Sequence, residues 1–163
     1  MKKYIWLPVT GAVLMAALFL GYTAAPSYAD ERFNPVRDAL TKEECSACHM
    51  AFQPQMLPRK SWEKMMDTLS NHFGEDASLS QADAEHIRNY LVSNAADSKW
   101  RGGPFLRGLS KDAAPLRITE TPHWIREHEG EVHSSAWKDP KIKSKANCIA
   151  CHKDAERGYY DDD

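Results

Sequence analysis

The sequence predicts a mainly α-helical protein, and three observations carry that reading. Apolar residues recur at helical spacing over 61–73 and again over 80–94. No run alternates with the period of two that a half-buried strand requires. The third observation is a five-residue unit, Cys45-Ser46-Ala47-Cys48-His49, which returns as Cys148-Ile149-Ala150-Cys151-His152. All four cysteines of the 163-residue chain fall in these two units.

The first helix is expected from Asn34 to Cys45, with Val36, Ala39 and Leu40 toward the core, leading directly into the first unit. Phe52 to Pro58 contains Pro54 and Pro58 and reads as a loop, because proline cannot continue a helix interior. Ser61 is a favourable N-cap for a second helix. Trp62, Met65, Met66, Leu69 and Phe73 would line one face of it, and Gly74 would stop it. Ser80-Gln81-Ala82-Asp83 reads as a capping box. The helix it opens carries Ala84, Ile87, Tyr90 and Leu91 on one side and fades near Asn94. Asp97 to Ile118, with Gly102, Gly103, Pro104, Gly108 and Pro115, reads as a linker or long irregular loop. A short helix is expected from His123 to His128 behind Pro122. One or two helical turns should span Cys148 to Glu156 and end at Gly158. Asp161, Asp162 and Asp163 form a solvated acidic end.

The repeated unit has the spacing of a covalent haem c attachment site. Its two thiols add to the two vinyl groups of one porphyrin, and the adjacent histidine becomes the first axial ligand of the iron. Cys45, Cys48, Cys148 and Cys151 are therefore expected to attach two haems, with His49 and His152 as proximal ligands. A thiol–disulfide pair would call for a βαβ context that is missing here. A shared zinc site usually separates its cysteine pairs by about 15–20 residues, whereas 99 residues lie between Cys48 and Cys148. Neither that reading nor two structural disulfides explains a histidine directly after each pair.

Residues 1–29 read as a secretory signal peptide. Lys2 and Lys3 precede an unbroken apolar run from Ala12 to Leu20, and Ser27-Tyr28-Ala29 is a suitable cleavage site. Pro8, Thr10 and Gly11 make the longer run a poor spanning helix, so an uncleaved anchor is the lesser alternative. Export places the mature protein in the periplasm. Cleavage removes two lysines and no acid, leaving 19 basic and 23 acidic residues, a charge of −4. That balance argues against nucleic acid as a partner and favours a partner with a basic face. The mature chain then divides into a haem domain over 30–97 and a linker with a second haem-binding domain over 98–163. The second is too short for an ordinary core, and a covalent haem would supply the staple.

The sixth ligand of each iron decides the chemistry. Methionine raises the potential, a second histidine leaves it lower, and an open position admits gas or peroxide. His72, seven residues after Met65 and three after Leu69, belongs to the apolar face expected of its helix and is the choice for the first iron. Met56, in the proline loop, is the sulfur rival; Met65 and Met66 read as core filler. His86 reads as solvated. For the second iron His128, four residues after Trp124, is preferred to His123, which follows a proline, and to His133, which lies among serines.

These residues resemble one family. Cys45 to Phe52, Met56-Leu57-Pro58, Ser61-Trp62 and His72-Phe73-Gly74 are similar to the bacterial dihaem cytochromes c usually called DHC. So are Ile118 to Pro122, Arg126-Glu127-His128, Asn147-Cys148 and Ala155 to Gly158. The resemblance implies a helical N-terminal domain like that of ordinary cytochrome c, then a small, irregular haem-binding domain of unusual fold. It implies bis-histidine coordination of both haems, which fits His72 and His128. It further implies electron transfer from a membrane b-type cytochrome to a small oxygen-binding monohaem cytochrome. The expectation is thus an electron carrier rather than an enzyme. A dihaem peroxidase and a haem-based redox or gas sensor are the rivals, and both require an open iron. Arg117 and the lysines at 138, 141, 143 and 145 read as a solvated basic face, with pairing to haem propionates as the alternative.

Overall fold

A computed structural model describes residues 32–98 and 102–160. The leader expected over 1–29 and the acidic end lie outside the described residues. Among the described residues four α-helices run in order: α1 (Ala39–Ser46), α2 (Arg59–Asp67), α3 (Gln81–Ser93) and α4 (Pro122–His128). Short 3-10 turns connect them. The mainly helical class is borne out; among the described residues β pairing is confined to two isolated bridges.

Capping chemistry sets where these helices begin. α1 starts at Ala39 rather than Asn34, because Asp38 takes the N-cap. Its Oδ1 accepts from the Thr41 backbone N–H at 2.8 Å and from the Thr41 hydroxyl at 2.7 Å. Val36 is buried ahead of the helix, Ala39 is exposed, and Thr41 takes the inward position instead. A side chain that caps a helix contributes about 1 kcal/mol. Asp38→Ala should therefore lower the stability of the holoprotein by about 1 kcal/mol, and Asp38→Ser should recover most of it. Denaturant titration of the three proteins checks this; equal stability of all three would remove Asp38 as the cap.

The second helix departs from expectation at both ends. Pro58 is the residue before its first turn, so Ser61 lies inside the helix, fully buried, and caps nothing. The helix also ends at Asp67, well before Gly74. Thr68 is the reason: its hydroxyl bonds back to the Lys64 carbonyl at 2.9 Å and its backbone N–H to Met65. A β-branched residue with a hydroxyl competes with the helix for its own backbone groups. After a 3-10 turn at Leu69–Asn71, the chain reverses at Phe73-Gly74. His72 and Glu75 exchange both backbone hydrogen bonds, at 2.7 and 3.2 Å. Phe73 (φ 57°) and Gly74 (φ 104°) both lie in the left-handed region, as a tight type I′ reversal requires. His72 thus stands on a turn, not on a helix face.

α3 begins as expected: the Ser80 hydroxyl accepts from the Asp83 N–H and donates to the Asp83 carboxylate at 2.6 Å. Trp62, Met65 and Met66 of α2 pack against Ile87 and Leu91 of α3, with Leu57 and Ala95. The Trp62 indole N–H is satisfied by the Pro54 carbonyl at 2.8 Å, which lets that large ring be buried without an orphan donor.

A second cluster joins Met56, Phe105 and Trp124. Phe52 and Ile118 touch both clusters, so the interior is continuous. The stretch expected as a linker is irregular, yet it carries a core anchor: Phe105, in a 3-10 turn at Pro104–Leu106, is 4% exposed. From Glu129 to Tyr160 the backbone is a series of turns with almost entirely local hydrogen bonds. The far end is drawn back by Phe33, whose N–H donates to the Gly158 carbonyl at 2.8 Å. Gly158 has φ 86°, and a Cβ there would lie 2.0 Å from the Phe33 carbonyl oxygen, so only glycine fits this closure.

Candidate haem sites

The first site is assembled from the end of α1 and the Phe73-Gly74 turn. Cys45 lies in the last turn of α1, and the His49 N–H reaches the Cys45 carbonyl at 3.4 Å. His49 Nδ1 bonds to the Met50 carbonyl oxygen at 2.7 Å, which leaves Nε2 as its outward nitrogen. Phe52 stacks on the His49 ring at 5.0 Å and 25°. The ring across from His49 is His72, with centres 6.1 Å apart and planes 22° apart. Two metal–nitrogen bonds of about 2 Å each, with the ring radii, place two imidazoles on opposite sides of one metal about 6 Å centre to centre. The pair is therefore spaced to hold one iron between them.

Burial, then the nearby His49 and Arg117, depresses the pKa of His72 and favours the neutral ring, the form that ligates metal. His72 Nδ1 is buried with no hydrogen-bond partner. Arg117, from the other half of the chain, lies 4.0 Å over the Phe73 ring, and that ring meets His72 edge-on at 4.8 Å. Arg117 also pairs with Glu120 at 3.5 Å. It is exposed, but it covers the turn that carries His72 and is more than a solvated charge.

The second site lies at the C-terminal end of α4. Thr121 caps this helix, its hydroxyl accepting from the Trp124 N–H at 3.3 Å, with Pro122 in the first turn. His128, one turn after Trp124, stacks on that indole at 4.1 Å and 14°. Its Nδ1–H donates to the Trp124 carbonyl at 2.8 Å. Such a backbone bond fixes the tautomer and aims Nε2 at a metal. Burial leads in lowering its pKa and outweighs the opposing bond to Trp124. His152 follows a 3-10 turn at Cys148–Ala150, its N–H on the Cys148 carbonyl at 2.8 Å. The His128 and His152 rings are 6.3 Å apart, again the spacing for one intervening iron, with planes 86° apart. Both face a cavity of about 310 Å³ that also presents Cys148 and Cys151 and is walled by Met56 and Trp137.

Of the other candidates, Met56 and His123 also line this cavity, and the rest lie elsewhere. Met65 and Met66 are core residues. Met56 is buried in the second cluster. His86 is exposed and pairs with Asp38 at 2.8 Å. His133 is exposed and bonds Ser135 at 2.7 Å. His123 does not cap α4; it is 1% exposed, against Phe105 at 4.6 Å. The lysines at 138, 141, 143 and 145 are exposed, and Lys145 Nζ lies 5.5 Å over the Trp137 ring.

The thiols of Cys45 and Cys148 are pushed up to about 11, chiefly by burial. Thiolate-based redox exchange calls for the opposite shift. Among the described residues no group of three or more His, Cys, Asp or Glu side chains could hold a metal ion, so the shared-zinc reading finds no site there. No described helix is long and apolar enough to cross a membrane.

Comparison with known proteins agrees with the site chemistry. The dihaem cytochrome c family, DHC, matches residues 41–160. The chain is similar to the diheme cytochrome c from Rhodobacter sphaeroides at 50% identity, with TM-score 0.74, over 78% of this chain and 99% of that one. It is also similar to the diheme cytochrome c of Shewanella baltica OS155 at 33% identity, with TM-score 0.62, over 76% of this chain and 86% of that one. No curated protein matches. Two attachment motifs, each beside a histidine pair spaced for one iron, fit this result: the chain belongs to the dihaem cytochrome c family and carries two covalently attached haem c groups.

Proposed function

We propose that the chain is a periplasmic one-electron carrier with two six-coordinate haems. It would be exported by residues 1–29. It would take electrons from a membrane b-type cytochrome and pass them to a small oxygen-binding monohaem cytochrome. Cys45 and Cys48 attach the first haem, with His49 and His72 as axial ligands. Cys148 and Cys151 attach the second, with His152 and His128. The observation that carries the reading is the pair of ring separations, 6.1 and 6.3 Å. With a histidine on each side of each iron, neither iron keeps a coordination position for substrate, as a peroxidase or gas sensor would need.

When bound, each haem supplies a one-electron iron couple. The polypeptide does the rest. Phe52 and Trp124 fix ring planes by stacking, and the Met50 and Trp124 carbonyls fix tautomers. Two histidines per iron favour a lower potential than histidine with methionine, which suits a donor.

The mature charge of −4 favours steering toward a basic partner. Transient redox complexes bury less than about 1,200 Å², and exposed charges are screened within about 8 Å at physiological salt. The reduced protein should therefore pass electrons quickly to an oxygen-binding monohaem cytochrome, and more slowly as salt rises. Stopped-flow mixing across a salt series tests this. A rate independent of salt would remove the electrostatic docking. Sustained peroxide turnover by this protein alone would overturn the carrier reading.

A further inference from the structure

The two histidine pairs differ in one respect: the ring planes are 22° apart at the first site and 86° apart at the second. An imidazole turns easily about a single metal–nitrogen bond, so its plane is set by what surrounds it. At the second site each ring has its own support. His128 is locked against Trp124, as described above. His152 meets the Tyr160 ring at 5.4 Å and 61°, and its carbonyl accepts from the Ala155 N–H at 3.1 Å.

Both supports of His152 lead to one residue of the other half. Gln53 is fully buried, at 0% exposure. Its Nε2 donates to the Ala155 carbonyl at 2.7 Å, and its Oε1 accepts from the Tyr160 hydroxyl at 2.6 Å. Ala155 offers only a carbonyl acceptor there, which assigns the amide orientation. Burial of a polar side chain that bonds 102 and 107 residues away is costly unless every bond is kept. Gln53 also follows Phe52, the ring stacked on His49, so the brace starts beside the first site.

We propose that Gln53 is a positioning residue for the second iron: through Ala155 and Tyr160 it holds His152 crosswise to His128. The proposal rests on His128 and His152 being the axial pair. Crosswise axial planes leave two iron d orbitals nearly degenerate and give ferric low-spin haem a highly anisotropic electron paramagnetic resonance signal. Near-parallel planes give an ordinary rhombic one. The native protein should show one signal of each kind.

The test is that spectrum, with a potentiometric titration, on the oxidised holoprotein and three variants. Gln53→Leu removes both bonds; Tyr160→Phe removes the hydroxyl and keeps the ring; Gln53→Glu keeps the acceptor for Tyr160. Gln53→Leu should lose the anisotropic signal to a rhombic one and shift the second haem's midpoint, with the first haem unmoved. Tyr160→Phe should shift both readouts the same way by less, and Gln53→Glu should fall between Gln53→Leu and the native protein. If Gln53→Leu fails to retain its second haem, Tyr160→Phe decides. Unmoved signals and midpoints in every variant that keeps both haems overturn the proposal. His128→Ala separates the two ways of failing. Two low-spin haems there would overturn the axial assignment and the proposal with it. A new high-spin haem there, with unmoved brace variants, would overturn the brace alone.

Discussion

His72→Ala should turn one of the two haems high-spin and open it to carbon monoxide, while the other stays low-spin. The motivation is the 6.1 Å between the His49 and His72 rings. The effect should be all-or-none at that haem, because the rival donors read from the sequence are engaged elsewhere. Met56 is buried in the second cluster, Met65 and Met66 are held in the α2–α3 core, and His86 is engaged with Asp38. The fold should survive the change, since His72 stands on an exposed reversal and contributes no side chain to either cluster. Absorption and carbon monoxide difference spectra read the outcome. Two low-spin haems with unchanged potentials would remove His72 as a ligand. His72→Met is a finer probe: if the sulfur reaches the iron, the first haem's potential should rise while the second keeps its own.

What could be read from the sequence follows the range of the forces involved. The Ser80 cap and the extent of α3 were legible, because capping is decided within four residues. The same local reasoning failed at Thr68. Helical spacing from Trp62 to Phe73 looked unbroken, but a hydroxyl returning to Lys64 ends the helix early. His72 still faces His49, from a turn whose central Phe73 is not a residue that announces φ > 0. Phe105 was hidden in a stretch of glycine and proline, where one aromatic residue makes no periodic pattern. Gln53 left no signal: its two bonds join positions more than a hundred residues apart. The Trp124–His128 pairing was legible, because residues four apart share one face of a short helix.

Cys148→Ala together with Cys151→Ala should leave a protein with one haem, an ordered first half and an unfolded stretch beyond α4. The first half has its own core, with seven buried residues joining α2 to α3. The second cluster has three, and one of these, Met56, belongs to the first half. Between Glu129 and Tyr160 the backbone bonds are turns of three to six residues, apart from the one from Phe33 to Gly158. Such bonds stabilise little by themselves, because each must offset the ordering of its own residues. The long-range ties that remain include Gln53 to Ala155 and Tyr160, Phe33 to Gly158 and to the Tyr160 ring, Arg32 to Tyr159, and Trp137 to Trp124. Without the haem that Trp124, Trp137 and Met56 would pack against, these must hold more than thirty residues around a cavity of about 310 Å³. Water would enter that cavity, and the buried Gln53 amide would exchange its partners for solvent. Hydrogen exchange reads this directly. Amides from Glu129 to Tyr160 should exchange about tenfold faster or more, while those around Ile87 and Leu91 in α3 keep their protection. Unchanged protection beyond α4 would mean that turns and these scattered ties suffice to fold this half.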